Sequence, residues 1–343
     1  MWKDPPYFST HAILDILVQH SHHWRSMYFF LPLAAYAALF PARGKLPSLQ
    51  ELSLGTHEPS ATDPILDAFE VAPRLRSLEC VNLHPYMFKF PWDNLSQIPI
   101  MTVTITDSLD ILRRAPLLES VSFIYTEELI KLPLLPPQLL RHENLKELAV
   151  LAPTWNEDIE TQVLFRNLIT PRLRSLRICN IDRSFGSYLS TFLASINSLE
   201  SLYLRKTALT EDEVIGLLEV LPTLKHLTLL SSFMFIMVTD LLLTRLTWRS
   251  ALKTVLVPKL ETLEISLPGP LTTAFAEFLE SRWDVDGEAL PVAKLLQVKV
   301  GANDDYDAAI IKRLECLAQA GMSIIIGTTD VPLEDGLEYL STW

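Results

Sequence analysis

An α/β solenoid, in which short strands and helices alternate and each unit stacks on the next, is the fold class this sequence predicts. Three observations predict it. A phrase of the form Leu-x-x-Leu-x-Leu recurs ten times, Pro often stands just ahead of it, and helical periodicity fills the intervals. The phrases lie at 49–54, 75–80, 100–105, 118–123, 145–150, 173–178, 199–204, 224–229, 260–265 and 295–300. Their starts are 26, 25, 18, 27, 28, 26, 25, 36 and 35 residues apart. Most of these spacings fall in the window of roughly 20–29 residues that marks leucine-rich repeats. The long spacings after Leu224 and Leu260 predict insertions or irregular units.

Within the phrase, the last two apolar residues alternate with polar ones, which is the period of a strand. The first apolar residue tucks the preceding turn into the core. Pro ahead of it cannot join a ladder and marks where the chain enters the strand. Between phrases, Thr210-Glu211-Asp212-Glu213 is a capping box, followed by Val214, Ile215, Leu217, Leu218 and Leu221 at helical spacing. A similar helical stretch begins near Ser187, and further helices are predicted at 65–71, 108–114, 158–168, 272–282 and 306–320. One unit cannot bury its own apolar face, so neighbours must stack. The expected result is a horseshoe with a parallel concave sheet and convex helices, spanning residues 46–343. Residues 1–45 are expected to be a helical segment capping the first repeat, covered by Trp24, Phe29, Leu31 and Leu33, with 27–40 as a buried helical stretch.

Composition narrows the function. With 49% hydrophobic and 20% charged residues, a large core is available. A formal net charge of −12 repels phosphate backbones and anionic lipid, so nucleic acid and membrane are not expected partners. The apolar run 27–40 is too short to span a bilayer. Cys80, Cys179 and Cys316 are odd in number and far apart, which suits reduced thiols in the cytoplasm or nucleus. Ten glycines and no GxGxxG or GxxxxGK[ST] argue against a phosphate cradle. GxSxG and HExxH are absent too, so no catalytic role is expected. His20, His22 and His23 stand at spacings of 2 and 1 without a nearby carboxylate or Cys, which reads as ordinary surface and not a metal site. No cofactor is expected. Glu211 to Glu213 and Asp304-Asp305 sit where helices should begin and offset the helix dipole.

The wording of the repeats carries a resemblance. Ala72-Pro73-Arg74-Leu75-Arg76-Ser77-Leu78-Glu79, the stretch from Asp110 to Ser120 with Ala115-Pro116-Leu117-Leu118, and Val257-Pro258-Lys259-Leu260-Glu261-Thr262-Leu263 resemble fungal F-box proteins with degenerate leucine-rich repeats, notably those of mushroom-forming fungi. The stretch from His20 to Ser26, with Trp24-Arg25, is similar to the segment that links the F-box to the repeats there. The resemblance implies substrate capture for an SCF-type ubiquitin ligase. The F-box itself, with its Leu-Pro-x-Glu start, has no counterpart before Met27. The ligase's adaptor is therefore an expected partner only where an F-box lies upstream, and the chain alone is expected not to bind it. The alternative is a repeat scaffold with no ubiquitin connection.

The candidate site follows from strand alternation. Side chains flanking the last two apolar residues of each phrase point away from the core. The middle positions are Ser53, Glu79, Thr104, Ser122, Ala149, Arg177, Tyr203, Thr228, Glu264 and Lys299; earlier ones include Glu51, Glu147 and His226, and Arg205 follows Leu204. Arg177, Tyr203, Arg205 and His226 thus fall on neighbouring repeats, and Arg and Tyr are enriched at binding hot spots. This patch is the expected concave site for a protein partner, with an acidic or phosphorylated segment as its complement.

Overall fold

The apolar alternation of the phrases becomes strand, and the strands lie side by side in chain order. The computed structural model describes residues 8–57, 66–83, 85–125, 139–151, 161–180, 186–231, 237–249, 255–283, 292–302 and 307–327. The chain divides into two compact units, Met1–Val150 and Leu151–Trp343.

The first unit contains helix α1 (Phe8–Gln19), strand β1 (Ser26–Phe30), a 3-10 segment (Leu33–Ala42), β2 (Glu51–Gly55), β3 (Ser77–Val81) and β4 (Gln97–Val103). Helix α2 (Ile105–Arg114), β5 (Ser120–Tyr125), the short β6 (Leu140–Arg141) and β7 (Glu147–Leu151) follow. Its sheet has the order β1-β2-β3-β4-β5-β7. The second unit contains α3 (Thr161–Asn167), the short β8 (Leu168–Ile169), β9 (Ser175–Cys179), α4 (Gly186–Ala194), β10 (Ser201–Arg205), α5 (Glu211–Glu219) and β11 (His226–Leu230). It continues with α6 (Asp240–Leu246), β12 (Thr262–Ser266), α7 (Thr273–Trp283), β13 (Gln297–Gly301), α8 (Ala308–Gln319) and β14 (Ser323–Gly327), in the sheet order β9-β10-β11-β12-β13-β14. Strands pair in parallel in both units, as an α/β fold requires when each strand returns through a crossover.

The register explains the core. Leu176, Leu202, Leu227, Leu263 and Val298 sit opposite one another on successive strands, and so do Ile178, Leu204, Leu229, Ile265 and Val300. None of these ten is more than 2% exposed, and the same holds for Leu52, Leu54, Leu78 and Cys80 in the first unit. The first leucine of each phrase, such as Leu75, Leu118, Leu173 and Leu224, is wholly buried. Its backbone N–H donates to the residue three before it: Leu75 to Ala72, Leu118 to Ala115, Leu173 to Thr170, Leu224 to Leu221 and Leu260 to Val257, at 3.1–3.3 Å. These are β-turns with Pro73, Pro116, Pro171, Pro222 or Pro258 at the second position, where the ring's fixed φ suits the turn.

Three expectations are corrected. The third phrase is not 100–105. Its buried positions are Leu95, Ile98 and Met101, and the register of β4 shifts between Ile98 and Met101. Pro99 lies in that interval and cannot donate to the ladder, so the strand carries an irregularity that hides the phrase. A start at Leu95 replaces the spacings of 25 and 18 by 20 and 23. Thr104 is then not an outward strand residue but the N-cap of α2, accepting from Asp107 N–H. The stretch after Met27 is not helical throughout. Ser26–Phe30 is a strand paired with β2, with Met27 opposite Leu52 and Phe29 opposite Leu54, because Trp24, Met27 and Phe29 repeat the phrase with bulkier residues. Finally, 66–71 forms turns and an isolated bridge from Leu66 to Phe88, not a helix; Ile65 lies outside the described residues.

The remaining helices start close to their expected bounds. For the expected helices at 158–168 and 306–320, the parts 158–160 and 306, together with Asp304-Asp305, lie outside the described residues.

Candidate functional site

Alternation along the second unit's strands turns three rows of side chains away from the core. One row runs Arg177, Tyr203, Thr228, Glu264, Lys299. A second runs Ser175, Ser201, His226, Thr262, Gln297, and a third begins Cys179, Arg205, Leu230. Where the strands end, Asn180 and Lys206 adopt φ of 58° and 48° and turn the chain out of the sheet. Asn tolerates that left-handed conformation; Lys adopts it at some cost. The ladder continues past each strand, with Asn180 N–H on the Arg205 carbonyl and Lys206 N–H on the Leu230 carbonyl.

The structure brings Arg177 and Tyr203 together. They are directly paired across β9 and β10, and the guanidinium carbon lies 5.4 Å from the centre of the Tyr203 ring. A cation over an aromatic face at that distance is attracted by the ring quadrupole. Arg177 is exposed, Arg205 half-buried, and neither takes part in an ion pair among the described residues. Arg205 is one strand over and two residues along from Arg177, about 8 Å away by strand geometry. His226 is placed differently: it is exposed, but its Nδ1 lies 2.8 Å from Thr262 Oγ1, on the side away from Tyr203's strand.

Tyr203 is only 6% exposed. It therefore supports Arg177 from beneath instead of offering an open aromatic face, and its replacement by Ala removes packing as well as a binding platform.

The elements behind this face are tied to one another. Thr210 caps α5, accepting from Glu213 N–H while the Glu213 carboxylate accepts from Thr210 N–H. Gly186, the first residue of α4, leaves room for that carboxylate, since a Cβ there would come within 2.4 Å of Glu213 Oε1. Glu211 reaches onward and accepts from Thr239 N–H and Leu242 N–H at the start of α6. The capping box was readable in the sequence; the reach of Glu211 into the next unit was not, because it depends on how the helices stack.

Other residues singled out in the sequence gather no chemistry. His20, His22 and His23 are exposed, with the His22 and His23 rings 3.9 Å apart. Among the described residues no group of three or more His, Cys, Asp or Glu is arranged around a common point. Cys80 and Cys179 are buried, burial pushes the Cys80 thiol well up, and Cys316 is exposed on α8. No helix among the described residues is long and apolar enough to cross a membrane.

Sequence reasoning missed the surroundings of two charged groups, Glu79 and Arg282. Glu79 is half-buried on the outward face of β3, where burial raises its carboxyl pKa and a hydrogen bond with Ser53 opposes the rise. Arg282 is wholly buried in α7. Neither carries a local signal, because both owe their environment to neighbouring strands and loops. No protein-family model matches the chain, and a search of curated proteins finds no match.

Proposed function

We propose that this chain is a non-catalytic protein-interaction module: a leucine-rich-repeat solenoid, horseshoe-shaped, whose sheet face engages an acidic or phosphorylated segment of a partner protein. The observation that supports it is the exposed Arg177 guanidinium placed over the Tyr203 ring, diagonal to Arg205, on a face whose rows are kept in register by the core leucines behind them. A guanidinium so held loses little freedom on binding and presents its donors as a fork to a carboxylate or phosphate. Arg205 supplies a second donor within reach of the same extended segment, and His226 with Thr262 forms the polar rim. Following the resemblance in its repeats, we assign the module to substrate recognition for an SCF-type ubiquitin ligase, in the cytoplasm or nucleus. The experiment uses fluorescent ten-residue peptides, acidic or phosphoserine-bearing, read by anisotropy at physiological salt. The double variant Arg177→Ala with Arg205→Ala should bind them at least tenfold more weakly, with an unchanged thermal midpoint. Equal affinity for variant and parent would move the site off this face.

A further inference from the structure

The first unit's sheet turns a different chemistry outward. Its rows run Tyr28, Ser53, Glu79 and Ser26, Glu51, Ser77 across β1, β2 and β3. The outward positions of its strands among the described residues hold no Lys or Arg. Ser26 donates to the Glu51 carboxylate at 3.0 Å, so that acid is oriented while staying open to solvent. Glu79 stands half-buried beside the irregular stretch of β4, its charge countered by no cation among the described residues. Independently of the acids, the edge of the face is aromatic. Tyr28 is 61% exposed, far above the core tyrosines. The Phe30 ring covers Gly55, where a Cβ would meet it at 2.5 Å, and His57 packs edge-on against that ring at 4.5 Å.

From this juxtaposition we infer that the first unit's sheet face is a second docking surface, and that its occupant is a basic, extended segment of a partner protein. Charge complementarity selects the occupant. Two carboxylates with no cation beside them repel acidic chains and attract Lys or Arg. An exposed tyrosine offers a ring face to the same cation. Strand spacing places Tyr28 about 10 Å from Glu79, with Ser53 between them, a span that an extended segment covers in about three residues. The residues of this surface belong to the first unit and Arg177 to the second, so either assignment stands or falls without the other.

The test uses the full chain and a panel of ten-residue fluorescent peptides, each with two to four Lys or Arg, together with counterparts in which those residues are Glu. The parent protein should prefer the basic set. Tyr28→Ala with Glu79→Gln should weaken the best basic peptide at least tenfold, whereas Glu315→Gln, an equal change of charge on α8, should leave it unaltered. Circular dichroism confirms that the variants are folded; should the double variant be unfolded, Glu51→Gln replaces it and should itself weaken the peptide severalfold. No preference for the basic set, or equal losses in Glu315→Gln and the sheet-face variants, would overturn the proposal by reducing it to bulk charge. Self-association of the parent that the basic peptides do not compete would overturn it in favour of a second copy.

Discussion

Arg282 shows what a single residue must do when burial leaves it no water. None of its surface is exposed, and it donates to the carbonyls of Leu246 at 3.0 Å, Leu256 at 2.7 Å and Val257 at 3.4 Å. One of these is the last residue of α6, where the negative end of the helix dipole welcomes a cation. Another is Val257, whose φ of 43° a β-branched residue adopts only under constraint. Desolvation lowers the guanidinium pKa to about 10, yet three acceptors favour the charged form. Arg282→Met strands those carbonyls, so urea unfolding should show a loss of about 3–5 kcal/mol, and Arg282→Lys, which lacks the fork, should recover less than half of it. A different residue-scale cost recurs at the first position of the turns. Where other turns bury Ala72, Ala115 or Leu221, the equivalent positions ahead of three phrases hold Ser21, His142 and Thr170, and Ser21 Oγ, His142 Nδ1 and Thr170 Oγ1 find no hydrogen-bond partner among the described residues. Thr170→Val keeps the shape and removes the stranded hydroxyl, so it should raise stability by about 1 kcal/mol. His142 adds a pH dependence. Burial lowers its pKa below 6.5, while its Nε2 bond to the Ala115 carbonyl and Glu143 oppose the shift. The folded state thus prefers the neutral ring; its contribution is complete above pH 6.5 and is lost as pH falls through the lowered folded value. Measured against His142→Leu, the parent should lose stability progressively on acidification below that point. Equal slopes for the two proteins would show that the ring is not buried neutral. At the candidate site, alternation alone named Arg177 and Tyr203 as neighbours on one face. It could not say that Tyr203 lies under Arg177, since that follows from which strand stands beside which.

Elements were readable in proportion to how local their signals are. The capping box at Thr210 and the alternation of β10 and β11 are written in adjacent residues, and the structure has them where the pattern puts them. β4 was misread because Pro99 inserts an irregularity into the strand and a neighbouring set of apolar residues imitates the phrase. β1 was missed because Trp24, Met27 and Phe29 fill the leucine positions, and hydropathy without leucine reads equally well as helix. The apolar residues at 65–71 gave a helical impression over less than two turns, too few to outweigh the pull of Phe88, Phe69 and Phe90, whose rings pack together. The same distinction between local and long-range signals predicts which cap matters more. Thr210 serves only its own helix, and Thr210→Ala should cost about 1 kcal/mol. Glu211 serves the next one, accepting from Thr239 N–H at 3.2 Å and Leu242 N–H at 3.0 Å. Glu211→Ala leaves those two donors and the Thr239 hydroxyl without their acceptor, so it should cost more than Thr210→Ala in the same urea titration, about 1–3 kcal/mol. The opposite order would mean that water replaces the carboxylate at no cost and that α5 and α6 are tied by packing alone.

For the molecule as a whole, the consequence of stacking is that stability is shared between neighbours and falls toward the end of a row. The second unit makes the comparison possible within one register. Leu204, Leu229, Ile265 and Val300 occupy one inward row, are buried to within 2%, and each lies on a strand paired on both sides. Ile326 continues that row on β14, pairs with Val300, and is 36% exposed. The row is aliphatic and extended throughout, and of its strands β14 alone is paired on one side only among the described residues. A methylene removed from the middle of the row leaves a cavity that packed strands on both sides keep open, whereas one removed at Ile326 was already in contact with solvent. Leu229→Ala should therefore cost about 2–5 kcal/mol and Ile326→Ala less than about 1 kcal/mol. Hydrogen exchange should report the same gradient without any substitution: amides of His226–Leu230 should exchange only through the unit's largest opening, and those of Ser323–Gly327 through smaller, more frequent ones. Comparable protection in β11 and β14, together with equal costs for the two substitutions, would show that the second unit opens all at once. Its strands would then be a single cooperative core, and the nearest-neighbour account of a repeat protein would not apply to it.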